Sequence, residues 1–228
     1  YHIERKGFPW DTLFRYHYFL KAESELVKYD YIYYMDVDTN VIDKVGEEIF
    51  GDLVATYHPG FYKRSGATFE NRTESTAYIP YNTNVSYYCG GFQGGTAKKY
   101  LQACHKIKKN INIDGRNKIT ALWHDESHWN AYLYKNKPSL CLDPRYSFPQ
   151  ENYPWLKDLQ DTKKIIVIIK DEKNLREKMT HEEEYKRFLK GKKVAIVGPA
   201  KSVMFQKNGA LIDSYDVVVR ICNTEADF

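Results

Sequence analysis

The chain has 228 residues, 43% of them hydrophobic, enough to bury one sizeable core or one core with a small second unit. Lysine and arginine outnumber the acids 34 to 30, and the net charge of +4 is spread along the chain, so nothing implies nucleic acid, whereas small phosphate-bearing ligands stay compatible. No run approaches the ~18 apolar residues of a membrane-spanning helix. Cys89, Cys104, Cys141 and Cys222 show neither Cys-x-x-Cys pairing nor framework spacing, which argues for reduced thiols over a disulfide scaffold or structural zinc.

Pro9 and Asp11 predict the start of one amphipathic helix reaching about Lys28, with Leu13, Tyr16, Leu20 and Val27 at helical spacing. Next, Tyr31–Met35 is an apolar and aromatic run bounded by Asp30 and Asp36, which suits a strand covered on both faces of an α/β sheet. Asp36 and Asp38 then fall at its carboxyl end, where open α/β sheets bind their ligands. Two hard carboxylates there would leave several positions of an octahedral Mg²⁺ or Mn²⁺ to water and diphosphate oxygens. The plainer alternative is that Asp38 caps the following turn. Leu53–Tyr57 predicts a second short strand running into a Pro-Gly turn, which places His58 beside a loop. Residues 63–84 are polar, carry sequons at Asn71 and Asn84, and read as a surface loop.

Ser86–Cys89 reads as a strand running into Gly90–Gly95, whose four glycines either let backbone approach a ligand closely or form a flexible turn. Thr96 is placed to cap a helix carrying Tyr100, Leu101, Cys104 and Ile107. A further helix opens near Trp123 and runs to about Asn136, and Leu140–Leu142 and residues 164–170 read as strands. Thr180 and Glu183 form a capping box for a helix that Gly191 closes. Residues 193–198 and 215–220 then read as strand, crossover and strand, a Rossmann-like βαβ opening with too little chain to bury its own sheet. The organisation expected is a main body over 1–179, a linker helix over 180–191 and a truncated second domain over 192–228.

His124 and His128 lie four apart and invite a zinc reading, but the metalloprotease pattern needs glutamate directly after the first histidine, where this chain has Asp125. A helix cap by Asp125 or Ser127 is a second reading. The third is a carboxylate pair, Asp125 and Glu126, holding a polar substrate, with Trp123 as an apolar platform for a sugar face. One carboxylate beside a departing sugar can act as nucleophile or stabilise an oxocarbenium-like centre.

With Asp36-Val-Asp38 ahead of them, His58–Tyr62 (HPGFY), Ala77–Pro80 (AYIP), Gly90–Gly95 (GGFQGG) and Trp123–Ser127 (WHDES) occur in an order that resembles the family 6 glycosyltransferases. The resemblance covers about residues 7 to 178. It implies an α/β fold of the nucleotide-diphospho-sugar transferase type (GT-A-like), a mixed sheet flanked by helices, here lacking its N-terminal part. It also implies a retaining transfer of galactose or N-acetylgalactosamine from UDP-galactose or UDP-N-acetylgalactosamine, in α-1,3 linkage, to a galactose-containing glycan acceptor, fucosylated or not. A non-catalytic galactoside-binding module is the alternative, because the uracil-binding segment of the family would precede Tyr1.

Carried over by position, the resemblance makes Asp36 and Asp38 ligands of Mn²⁺ (or Mg²⁺) and diphosphate, with Val37 between them, and keeps both acids where some bacterial members have Asn-x-Asn. Glu126 matches the catalytic glutamate, Asp125 a donor-sugar contact, and His58, Thr68, Trp123 and again Glu126 acceptor contacts. Arg15, Lys170 and Arg176 match donor-binding cations. Cys89 and Gly91 match the positions whose bulk decides between the two donor sugars. The tail, residues 194–198 with 212–220, resembles the start of a sialyltransferase motif, a generic βαβ being the alternative. Membrane association is expected only if an anchor lies upstream, so the compartment stays open between cytoplasm and Golgi.

Overall fold

The computed structural model describes residues 3, 6–81, 85–150, 156–160, 163–169, 189–197, 210–211 and 214–220. Contacts divide the chain into two compact units, Tyr1–Lys170 and Asp171–Phe228. In the first unit three short helices, α1 (Trp10–Leu13), α2 (Arg15–Lys21) and α3 (Glu23–Leu26), lead into β1 (Tyr31–Met35) and β2 (Thr39–Val41). Then come β3 (Leu53–Tyr57), β4 (Tyr88–Thr96), α4 (Ala97–Arg116), α5 (His124–Lys135) and β5 (Leu140–Leu142). After β6 (Phe148–Pro149) and α6 (Lys157–Gln160), β7 (Ile166–Ile168) is the last described element of this unit. The second unit contributes β8 (Val194–Val197) and β9 (Val217–Arg220), paired in parallel from Val194 opposite Val217 to Val197 opposite Arg220.

The main sheet is mixed, in the order β1-β4-β3-β5, with β1 and β3 antiparallel to β4 and β5 parallel to β3. Side chains alternate across it, as a strand requires. Leu53 and Ala55 join Ile32, Tyr100, Leu101, Cys104, Ile107, Trp129 and Leu133 on the helical side, whereas Val54 and Phe92 meet Leu142, Tyr146 and Ile166 on the other. α4 faces the sheet because Tyr100, Leu101, Cys104, Ile107 and Ile111 recur at helical spacing, and all five are buried. Burying aliphatic side chains of this size stabilises the fold by about 1.5–3 kcal/mol each. A second sheet, β2-β7-β6, lies on the far side, where Ile165 and Ile166 join that second cluster.

Several expectations need correction. The N-terminal segment is broken at Phe14 and Ala22 into three helices rather than running as one, and Val27 is 56% exposed. β1 is not covered on both faces: it ends the sheet order, and of its five residues only Ile32 is buried. Residues 63–81 are not a plain surface loop, since Glu70, Ser75, Ala77 and Ile79 are buried there. The glycines lie inside β4, not in a turn after it. A Cβ at Gly94 would overlap the backbone oxygen of Ile32 in the neighbouring strand, and Gly95 combines φ of +139° with the same crowding by Asp52. Thr96 precedes α4 as expected, but its hydroxyl donates to Asp52 O (3.3 Å) instead of capping the helix.

Candidate active site

β4 bulges beside β3. Ala55 pairs with Gln93 and Tyr57 with Tyr88, so β4 carries three extra residues across an interval of two. Gly90 falls in this bulge, and charged and polar side chains take up its peptide groups. Its N–H donates to Glu126 Oε2 (2.7 Å), and its carbonyl accepts from Arg15 Nη1 (2.9 Å) and Gln93 Nε2 (2.9 Å). A Cβ there would stand 3.4–3.6 Å from Asp125, Glu126 and Arg15 together, so the missing side chain is the space in which they converge.

Arg15 is the hub, with its side chain only 12% exposed. Its Nε forms an ion pair with Asp125 Oδ2 at 2.9 Å, its Nη1 reaches Asp36 Oδ1 at 3.4 Å, and its guanidinium lies 4.6 Å over the Tyr34 ring. Burial works against this cation, but Asp125, Tyr34 and Asp36 outweigh it and keep Arg15 charged. Asp36 leaves β1 just before the turn into β2. Its Oδ1 also accepts from Tyr34 Oη (2.5 Å), while a Cβ on Gly91 would come within 2.9 Å of its Oδ2.

Asp125 and Glu126 stand in the first turn of α5, where the helix dipole favours negative charge. Ser127 is the residue that closes this end, its Oγ accepting from Trp123 N (2.9 Å). Glu126 Oε1 accepts from Tyr87 Oη (2.8 Å), so both of its oxygens are held. Burial pushes the Asp125 carboxyl up to about 7, with Arg15 pulling down and Glu126 pushing up. Asn130, one turn beyond Glu126, fixes α5 to β4 by accepting from Tyr88 N (2.9 Å) and donating to Tyr88 O (2.8 Å) and Glu126 O (2.9 Å).

On the adjoining side, Trp123 is half-exposed and its Nε1 donates to Thr68 Oγ1 (2.9 Å). His58 Nδ1 accepts from Gly60 N (3.0 Å), and its ring centroid lies 5.5 Å from that of Tyr87, whose hydroxyl holds Glu126. The structure therefore brings Arg15, Asp36, Gly91, Asp125 and Glu126 into one cluster and links His58, Thr68 and Trp123 to its edge. Asp38 follows in the turn, half-buried, with its carbonyl accepting from Ile169 N (2.7 Å). Val37 between them is 99% exposed. Cys89 is buried, which pushes its thiol up to about 11. Lys170 and Arg176 lie outside the described residues. His128 does not turn towards His124: it is buried 3.7 Å from Asp114, whereas the His124 ring packs on Phe8.

Sequence reasoning missed Tyr34, Tyr87, Gln93 and Asn130. Two of these left signals. Tyr34 shares a strand face with Asp36 by the period of two, and Asn130 shares a helix face with Glu126 by the spacing of four. Tyr87 acts across the fold and left none, and Gln93, three residues from the Gly90 carbonyl it holds, left no periodic signal.

The model of glycosyltransferase family 6 matches residues 16–177, most of the first unit and all of this site except Arg15. The chain belongs to glycosyltransferase family 6. Among relatives, it is 42% identical over 131 residues to histo-blood group ABO system transferase 2 of Rattus norvegicus, a match covering 55% of this chain and 38% of the relative. It is 38% identical over 130 residues to globoside alpha-1,3-N-acetylgalactosaminyltransferase 1 of Gallus gallus, covering 55% and 37%. It is 31% identical over 156 residues to the O-antigen biosynthesis glycosyltransferase WbnI of Escherichia coli, covering 65% of each. The family 6 chain thus matches less than two fifths of the length of these two vertebrate relatives. Its described residues contain no helix long and apolar enough to cross a membrane.

Proposed function

We propose that this chain carries the catalytic centre of a retaining glycosyltransferase. It moves galactose or N-acetylgalactosamine from a UDP-sugar, in α-1,3 linkage, to a galactose-containing acceptor. The observation that carries this reading is Glu126, a carboxylate fixed through both oxygens beside a glycine bulge and flanked by Arg15 and Asp125. A carboxylate so held cannot swing away, and its charge would act on positive character developing at an anomeric carbon. Asp125, oriented by Arg15, would hold donor hydroxyls. Trp123 would offer an apolar face to the acceptor, with Thr68 on its indole N–H and His58 nearer Tyr87. The name of one relative, the globoside alpha-1,3-N-acetylgalactosaminyltransferase, supports N-acetylgalactosamine and the α-1,3 linkage.

Asp36 and Asp38 suit Mn²⁺ or Mg²⁺: both are oxygen donors, both are part-exposed, and Gly91 leaves room beside Asp36 Oδ2. Among the described residues no three metal-binding side chains gather, so a cation held here would take its other ligands from diphosphate and water. When bound, it would supply positive charge to the departing diphosphate.

The test is single-turnover transfer from each UDP-sugar to a galactoside, with the linkage read by NMR. Glu126→Gln is expected to lower the rate by about a thousandfold, on the order of 4 kcal/mol of barrier, with UDP binding by calorimetry little changed. Near-normal turnover in that variant would remove Glu126 from the mechanism. A wild-type chain that binds galactosides but never turns over a UDP-sugar would support a sugar-binding module instead.

A further inference from the structure

The segment 63–81 holds a buried acid that the site described above does not use. Glu70 has a side chain 2% exposed, although it sits in a polar stretch of sequence. Its Oε1 accepts from Arg72 N (3.0 Å) and Arg72 Nε (2.8 Å), and its Oε2 accepts from Arg72 Nη2 (2.5 Å) and Leu122 N (2.8 Å). Arg72 Nη2 also donates to Thr120 O (2.7 Å). One ion pair therefore holds both the carbonyl at 120 and the amide at 122, immediately before Trp123, Asp125 and Glu126. Two residues upstream of Glu70, Thr68 takes the indole N–H of Trp123. The far end of the segment is tied down by Asp114 of α4, which accepts from Ser75 Oγ (2.6 Å) and Thr76 N (2.8 Å).

An ion pair whose acid is buried adds little net stability over an apolar pair of similar volume, because desolvation of Glu70 offsets the attraction. What an apolar pair could not do is hold a carbonyl and an amide two residues apart in one loop. Thr68 and Leu122 also line a cavity of about 540 Å³ with Phe69, Ile79 and Tyr81, so this loop borders a cavity that the hydrogen-bond partner of Trp123 shares.

We infer that Glu70 and Arg72 are a positioning pair for the acceptor side of the site: they fix residues 120–122 and so set Trp123 against the acceptor sugar. The inference deepens the proposed function and rests on that reading. Arg72 is 49% exposed, so its replacement opens little space in the core, but it leaves the charge of buried Glu70 unpaired, and Arg72→Lys, which keeps that charge, is therefore read beside Arg72→Gln.

The experiment compares wild type with Arg72→Gln, Arg72→Lys and Glu70→Gln. Arg72→Gln is expected to raise the galactoside KM by about tenfold, the scale of one lost hydrogen bond to a charged group. Donor KM, and hydrolysis of the UDP-sugar without acceptor, should stay within about twofold. Hydrogen–deuterium exchange should quicken at residues 120–123, and Arg72→Lys, which keeps the charge but loses the fork, should lie between the two. An unchanged galactoside KM overturns the inference. So does a parallel loss of donor and acceptor parameters together with the melting temperature, which would make the pair merely structural. A wild-type chain that neither transfers nor hydrolyses UDP-sugars overturns the transferase reading alone. The pair is then judged by exchange at 120–123 and by the galactoside Kd from calorimetry, both of which Arg72→Gln must alter.

Discussion

Asp125 links the chemistry of the site to the stability of the fold through pH. Its side chain is 6% exposed and faces Arg15 from α2, Glu126 from its own helix and, through Arg15, Asp36 from the end of β1. Burial is the leading cause that lifts its carboxyl from 3.8 to about 7. A folded-state value above the unfolded one means that the native state binds the extra proton. The associated stability is therefore complete below about pH 4 and is lost as pH rises through about 7. At about 1.4 kcal/mol per pKa unit, this shift amounts to ~4 kcal/mol, of which about 3 kcal/mol falls between pH 5 and pH 8. Asn at this position has nothing to titrate. Urea unfolding of wild type and Asp125→Asn at pH 5, 6, 7 and 8 should give curves whose difference shifts by about 3 kcal/mol in favour of Asn as pH rises. Transfer by wild type should fall as pH drops through about 7, where Asp125 takes up its proton and the ion pair with Arg15 is lost. Parallel stability profiles for the two proteins would refute the argument, since they would show that Asp125 ionises in the native state as it does unfolded.

The other predictions concern Asp36 and the glycines of β4. Chelation with EDTA should abolish transfer and Mn²⁺ should restore it in wild type but not in Asp36→Asn with Asp38→Asn, because amides lack the charge that holds a hard cation; undiminished transfer in chelator would remove the metal. Gly91→Ala should shift donor preference towards galactose and, by crowding Asp36 Oδ2, raise the Mn²⁺ concentration needed for half-maximal rate; a competition assay with both UDP-sugars and a Mn²⁺ titration read the two effects. Gly94→Ala should destabilise the fold by about 1–3 kcal/mol or prevent folding, because its neighbour is backbone that cannot turn aside; a chemical melt within error of wild type would contradict the packing of β1 on β4.

Sequence carried the elements whose signal is local. The dense apolar spacing of α4 and the β-branched runs of β3 and β7 each lie where their period places them. The break of the first helix at Phe14 and Ala22 was not legible, because neither residue is a breaker; in the structure Arg15 instead begins a new helix from which it reaches Gly90. The edge position of β1 was hidden for a similar reason. Aromatic residues fill strands whether or not a second face is covered, and Tyr33 and Tyr34 spend theirs on hydrogen bonds to Ile49 O and Asp36. At the site, the acids and the arginine could be named from the resemblance. That Glu126 would be held by a strand glycine and by Tyr87, however, depends on contacts 36 and 39 residues apart in the chain. Glu70 was half legible: Arg72, two residues on, is a local partner, whereas Leu122 N is a backbone group with no signature.

The four glycines of β4 divide into two pairs with different evolutionary freedom. Gly94 and Gly95 face main chain, which every sequence shares, so no change elsewhere can make room for a side chain there. Gly90 and Gly91 face the side chains of Arg15, Asp36, Asp125 and Glu126, which can be exchanged or shortened by mutation. Diversification of the strand is therefore confined to its first half. A library that randomises positions 90 and 91 varies the surroundings of this charged cluster, whereas one that includes 94 and 95 spends most of its members on chains that do not fold.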